Sequence, residues 1–422
     1  VNQLMSRESP SALPGKPVRP ELPGKLPDHL RAELIAFRRD LHMHPELGHQ
    51  EFRTTAAIKA RLEKAGLRPR VLKSGTGLIC DVGTWDRGRP MLALRADIDA
   101  LPIPDAKTHV SYRSTYPDRA HACGHDVHTA VVLGAGLVLA DLDRQGLLPR
   151  PVRLLFQPAE EVLPGGATEA IDSGVLDGVG QIIAVHCDPR VDAGRLGLRP
   201  GPITSACDRL EVTLSGAGGH TARPHLTTDL VTAAARVAVD VPALLARRMD
   251  ARSGMSVTWG RLEAGHACNV IPMHAELSGT VRCLDLNAWY EAPDMIHAAI
   301  DEVSTMHGAK FEINHVRGVP PVVNDPVVTE LLREAMAARR GAESVEDTEQ
   351  SLGGEDFSWY LEHVPGAMAR LGVRRPGDTA KRDLHRGDFD VDESAIGVGV
   401  EFFTAAALLD GRRVRPVGVA DR

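Results

Sequence analysis

No apolar run in this 422-residue chain approaches a membrane span; the longest, residues 131–140, is half of the roughly 20 residues required. A basic stretch interleaved with aromatics is also missing, and the formal net charge of −7 argues against a nucleic-acid-binding surface. The six cysteines, Cys80, Cys123, Cys187, Cys207, Cys268 and Cys283, include no CxxC pair. In a chain of this size such scatter speaks for a reducing compartment, not a disulfide framework. The N-terminus has no charged-then-apolar leader pattern. The expectation is a cytoplasmic protein with neither nucleic acid nor membrane as partner.

What is present is ordinary for a soluble globular protein, with 43% hydrophobic and 25% charged residues. The length exceeds what one core usually holds, so two domains are expected. Residues 1–27 carry six prolines and read as a disordered or extended lead. From there to residue 201, apolar runs of strand length alternate with helical stripes, the pattern of a doubly wound α/β domain. After Pro200-Gly201-Pro202 the order becomes β-α-β-β-α-β, the ferredoxin-like α+β arrangement, until α/β alternation resumes at about residue 318. The reading is an α/β catalytic domain made of residues 28–201 and 318–415, with residues 202–317 inserted as a lid or dimerisation domain.

The densest chemistry lies in His121-Ala122-Cys123-Gly124-His125-Asp126-Val127-His128. Borderline-soft ions accept thiolate sulfur and imidazole nitrogen together, so this segment suits a transition metal. Cys123 and His125 lie two apart, which in an extended loop would point both to one side. Three other segments bring ligand-type residues to apparent strand ends. They are Gln157-Pro158-Ala159-Glu160-Glu161, His186 after residues 181–185, and Asp383-Leu384-His385. Ligands gather at the carboxyl ends of strands in open α/β sheets, so these segments could meet in one place. Cys187 should point to the opposite face from His186 and pack in the core. His42 and His44 fall at an exposed-looking helix end and receive no role. His128 is expected to support the site from behind or to pack in the core.

The motifs occur in a telling order. Leu94-Arg95-Ala96-Asp97-Ile98-Asp99-Ala100-Leu101-Pro102 is followed by the His/Cys segment, Gln157 to Glu161 and His186. Then come Gly218-Gly219-His220-Thr221-Ala222-Arg223-Pro224-His225, Asn269-Val270-Ile271-Pro272, Gly353-Gly354-Glu355-Asp356-Phe357 and His385. From about residue 28 to 409 the chain resembles the two-metal aminoacylase and amidohydrolase family. That family includes hippurate, auxin-conjugate and N-acyl-amino-acid hydrolases, and is more distantly related to glutamate carboxypeptidases.

The resemblance implies two divalent metal ions, Zn or Mn with Co or Ni as further choices, held by Cys123, His125, Glu161, His186 and His385. Cys123 would take the bridging position. It implies Glu160 as general base, abstracting a proton from a metal-activated water that cleaves the amide of an N-acyl-amino acid. His220 would reach across a homodimer to stabilise the oxyanion in the neighbouring site. Asn269 and Gly354 would contact substrate, and Asp97 and Asp99 would orient ligand imidazoles from behind. A dipeptidase or carboxypeptidase-like activity is the near alternative. A catalytically silent metal or ligand sensor is a more distant one, which a carboxylate base beside a metal ligand argues against.

Overall fold

The computed structural model describes residues 26–85, 88–380 and 382–409. The expected extended lead, apart from residues 26 and 27, and the end of the expected catalytic domain after residue 409 lie outside these. An eight-stranded sheet forms the larger lobe. Its spatial order is Arg70–Val71, Leu78–Val82, Val152–Gln157, Met91–Asp97, Val179–Asp192, Gly366–Arg374, Leu196–Leu198 and Val345–Asp347. The four central strands, Val152–Gln157 to Gly366–Arg374, pair in parallel. Strand alternation splits their apolar residues between two faces. Leu92, Leu94, Ile183, Val185 and Ala369 pack with the helices Asp28–Met43, His125–Arg144, Pro326–Arg340 and Ser394–Ala407. Ala93, Leu155, Ile182, Ala184 and Met368 pack on the other face against Ala167–Asp172 and Ser358–Leu361. The sheet is therefore covered on both sides, as the α/β alternation implied.

His125–Arg144 is long and apolar enough to cross a membrane by length and composition, but 89% of that window is buried inside the protein. It is the core helix of the sheet. Its glycines allow this packing: a Cβ on Gly136 would stand 2.3 Å from Leu154 Cδ1.

The second sheet has the order Ser256–Ala264, His274–Cys283, Ala206–Ser215, Lys310–Val319, all antiparallel. Leu230–Arg248 and Leu286–Met306 lay Val237, Val241, Ile296 and Ile300 onto it. Asp229 and Asp285 begin these helices by accepting the backbone N–H of Thr232 and Ala288. Chain order and strand order together make the ferredoxin-like β-α-β-β-α-β unit.

Several local expectations need correction. His186 does not end its strand, because Val179–Asp192 is held past it by parallel pairing with Gly366–Arg374, including Arg370 beside His186. The Cys123 loop is not extended: Gly124 has φ +90°, and a Cβ there would stand 2.7 Å from Cys187 Sγ. His42 is buried, with Nδ1 2.7 Å from Asp126 Oδ2, a carboxylate that also pairs with Arg38 Nε at 2.6 Å.

The two lobes meet where the Gly354 turn comes against Ala206–Ser215, and a Cβ on Gly354 would stand 2.9 Å from Cys207 Cβ. Within the second sheet, where an irregularity interrupts the pairing of Lys310–Val319 with Ala206–Ser215, a Cβ on Gly318 would stand 1.9 Å from the Cys207 carbonyl oxygen. Gly318→Ala is expected to cost roughly 1–3 kcal/mol through forced backbone displacement. Thermal unfolding checks this, and an unchanged Tm would mean that the strand pairing there is slack.

Candidate metal centre and active site

The ends of Met91–Asp97 and Val152–Gln157, the start of the core helix, His186 and the His385 loop converge on one cluster. Its donor atoms include two groups that share Cys123, one with His125 and His186 and one with Glu161 and His385, and a further group of His125, Glu160 and Glu161, each within 4.8 Å. Cys123 Sγ lies 3.5 Å from His186 Nε2. Glu161 Oε1 lies 3.8 Å from His125 Nε2 and 3.4 Å from His385 Nε2. Glu160 Oε2 is 3.9 Å from His125 Nε2. The four separated segments thus meet, and Cys123 stands in the first two groups.

Hydrogen bonds behind the imidazoles decide which nitrogen each presents. His125 Nδ1 is 2.9 Å from the Asp99 carbonyl and 3.2 Å from Asp99 Oδ1, so Nε2 faces the cluster. His186 Nδ1 donates to the Cys187 carbonyl at 2.9 Å, which leaves Nε2 toward Cys123. Asp99 also accepts the Glu161 N–H at 2.9 Å, tying two candidate ligands to one carboxylate. Asp97 instead holds His128 at 2.6 Å, whose Nε2 accepts the Cys187 N–H. Both nitrogens of His128 are engaged, so it supports the cluster from behind.

The local charge explains why such a cluster wants cations. Asp97, Asp99, Glu160, Glu161, Glu355 and Asp356 crowd here. One guanidinium, Arg95, bridges Asp97 at 2.8 Å, Glu355 at 3.0 Å and Asp356 at 2.8 Å. Burial, then repulsion from Glu355 and Glu161, pushes the Glu160 carboxyl well above its ordinary range. Burial also raises the Cys123 thiol, and Glu161 raises it further. Burial alone would lower the His125 imidazole, yet Asp97 and Asp99 carry it up to about 10. A proton on His125 partly supplies the positive charge that these carboxylates demand.

The residues fit a pair of divalent ions. His125 Nε2 and Glu161 Oε1 are buried without a hydrogen-bond partner among the described residues. Sulfur, imidazole and carboxylate donors converge from separate elements, more than one tetrahedral ion uses.

His220 and Asn269 do not join this cluster within one chain. They sit in a two-stranded ribbon of Gly219–His220 with Val270–Ile271, where His220 Nδ1 accepts the Ala222 N–H and the Asn269 carbonyl accepts the Thr221 N–H. Both are exposed. Gly354 lies at the interlobe seam, where a Cβ would meet Cys207 Cβ at 2.9 Å. Close packing accounts for that glycine.

Sequence reasoning missed Arg95, Gln157, Glu51 and Arg370. Gln157 accepts from Arg95 Nε and the Tyr360 hydroxyl, and donates to Asp356. Glu51 accepts the Ala159 N–H at 2.7 Å and so shapes the turn before Glu160; burial, then Asp99, pushes its carboxyl up to about 7. The available signal was a charge inside an apolar strand, as in Met91–Asp97 and Gly366–Arg374. Arg95→Met is expected to strand three buried carboxylates and to cost about 3 kcal/mol or more in metal-free protein. Chemical denaturation measures it, and a loss below about 1 kcal/mol would remove Arg95 as the neutralising group.

Residues 93–409, which include every ligand-type residue of the cluster, match Peptidase family M20/M25/M40. The N-acetyl-L-cysteine deacetylase of Bacillus subtilis (strain 168) is 38% identical over 384 residues, 90% of this chain and 89% of that protein. A Rhodococcus jostii (strain RHA1) protein whose name designates a glutamate–cysteine ligase is 46% identical over 378 residues, although the chain spans 47% of its length. Among solved structures, the Bacillus subtilis YXEP protein, described as a dinuclear metal binding peptidase from M20 family, superposes with a TM-score of 0.78. It is 34% identical, over 90% of this chain and 98% of its own. The chain belongs to Peptidase family M20/M25/M40.

Proposed function

We propose that this chain is a metal-dependent amidohydrolase that cleaves N-acyl-amino acids into a carboxylic acid and a free amino acid. The observation that carries the reading is the pair Glu160 and Glu161. Glu161 reaches the Cys123 and His385 donors, while Glu160 stays beside them against Glu355 and Asp356. In this reading Glu161 binds metal and its neighbour Glu160 moves protons. Two deacetylase relatives from Bacillus subtilis, both named for N-acetylcysteine, support an acylated amino acid over a dipeptide. N-acetylcysteine therefore heads the substrate panel.

Cys123, His125, Glu161, His186 and His385 would hold two divalent ions. Sulfur favours Zn, and the remaining oxygen and nitrogen donors also accept Mn. When bound, such ions supply Lewis acidity that polarises a carbonyl and lowers the pKa of water. Glu160 accepts a proton from the water that attacks the amide carbon. As the C–N bond breaks, Glu160 returns that proton to the departing nitrogen. Asp99 keeps His125 and the Glu161 backbone in place through both steps.

The exposed ribbon end suits a partner chain. Val270, the register partner of His220, and Met273 are 51% and 62% exposed. In a homodimer each ribbon would bring His220 to the neighbouring site to receive the oxyanion, with Asn269 and the Gly354 seam beside the substrate. All six cysteines are free, which supports a cytoplasmic location.

Hydrolysis of N-acetylcysteine, hippurate-like amides and dipeptides, each with Zn or Mn and with a chelator, tests the reading. Preferred turnover of dipeptides would move it to a peptidase, and metal-independent turnover would remove the mechanism. Glu160→Gln is expected to retain its metal and lose about 10²-fold or more in kcat. Glu161→Ala and Cys123→Ser should lose metal on dialysis. Activity within about tenfold of wild type, or roughly 1.4 kcal/mol of barrier, would dismiss Glu160 as the base.

Subunit exchange tests His220. Glu160→Gln and His220→Ala dimers should each be nearly inactive, whereas a mixed dimer pairs an intact Glu160 with an intact partner His220 at one site. Random reassortment of equal amounts should restore roughly a quarter of wild-type activity. Verified exchange without recovered activity would mean that His220 acts within its own chain or not at all.

A further inference from the structure

Arg370 is a buried cation in search of an anion. It lies in Gly366–Arg374, directly beside His186 in the parallel register, so the two side chains share one sheet face. Adjacent strands are about 4.8 Å apart, which places the guanidinium stem next to the metal-ligand candidates. The residue is 4% exposed, yet its Nε and Nη2 have no hydrogen-bond partner among the described residues. On its other side Arg370 is in register with Gly197, which presents no side chain; a Cβ there would touch Arg370 Cβ at 3.2 Å.

The nearby carboxylates are committed elsewhere. Asp188 takes the N–H, Nε and Nη2 of Arg190. Glu355 pairs with Arg95 and accepts the Phe357 N–H. Both act on Arg370 through space, but no ion pair joins either to it among the described residues. An arginine cannot escape by losing its proton, and an unpaired buried guanidinium is costly unless an anion completes it. The planar Nε and Nη2 edge matches two carboxylate oxygens.

We infer that Arg370 is a specificity-determining residue that anchors a carboxylate of the substrate one strand beyond His186, on the side away from Glu160. The inference rests on the amidohydrolase reading and adds the recognition of an anionic group. Two parts of an N-acyl-amino acid could supply that carboxylate, the amino-acid end or a dicarboxylic acyl group. The shared chemistry is a carboxylate meeting a preformed guanidinium edge.

Wild type, Arg370→Met and Arg370→Lys, loaded with Zn or Mn, are compared on two matched pairs. N-acetylalanine against N-acetylalaninamide reads the amino-acid carboxylate. N-succinylalaninamide against N-butanoylalaninamide reads the acyl carboxylate. Wild type should favour the charged member of one pair at least tenfold in kcat/KM, mainly through KM. The ratio should fall toward one in Arg370→Met and recover in part in Arg370→Lys. Calorimetric titration with the same four compounds should show the same ratio in Kd. If wild type hydrolyses none of them, the amidohydrolase reading fails, and the Kd ratio alone still decides Arg370. Metal-free Arg370→Met should unfold at the same temperature or higher, since an unpaired buried charge has gone. A charged-to-neutral ratio unaltered by Arg370→Met, or a Tm lowered by that substitution, would overturn the inference and make Arg370 a structural residue.

Discussion

Buried negative charge is the constraint on which this structure turns. Asp97, Asp99, Glu160 and Glu161 gather at the ends of parallel strands, Glu355 and Asp356 join them from the turn before Ser358–Leu361, and Arg95 bridges three of the six. The remaining charge must be met by protons or cations. In the metal-free protein His125 retains a proton to an unusual degree, and Glu160 and Cys123 hold theirs. Divalent ions would replace those protons, so binding of metal and ionisation of the site are one equilibrium.

The fold supplies this crowding at low backbone cost. Parallel strands covered by helices on both faces end together, so residues 60 to 260 positions apart meet without a long unsupported loop. His385 reaches the cluster with φ +61° and with its own N–H bonded to the Ala122 carbonyl, which fixes the last segment against the first. The second lobe sets no ligand into this cluster. It carries the His220 ribbon and meets the first lobe closely at Gly354, where a Cβ would stand 2.9 Å from Cys207 Cβ.

Much of this was legible because the signals are local. Helices announced themselves by apolar stripes, and the change from α/β alternation to β-α-β-β-α-β marked the passage from the first sheet to the second. The ligand types stood out as thiol, imidazole and carboxylate at strand-like ends. What was hidden depends on distant pairing. The strand holding His186 runs on to Asp192 because Gly366–Arg374 lies alongside it, a partner 180 residues away. The short strands Leu196–Leu198 and Val345–Asp347 have too few residues to show a period. His42 looked exposed at a helix end until Asp126 and Arg38 closed around it. Arg95 and Arg370 interrupt apolar strands, and only the assembled sheet reveals which of them is paired.

Metal stoichiometry bears most directly on the central claim. Elemental analysis of purified protein titrated with Zn or Mn, alongside thermal unfolding, should give two tightly held ions per chain. Their removal by a chelator should lower the unfolding temperature, because folded protein alone assembles the site. Saturation at one ion, or none, with unfolding indifferent to metal, would contradict the account.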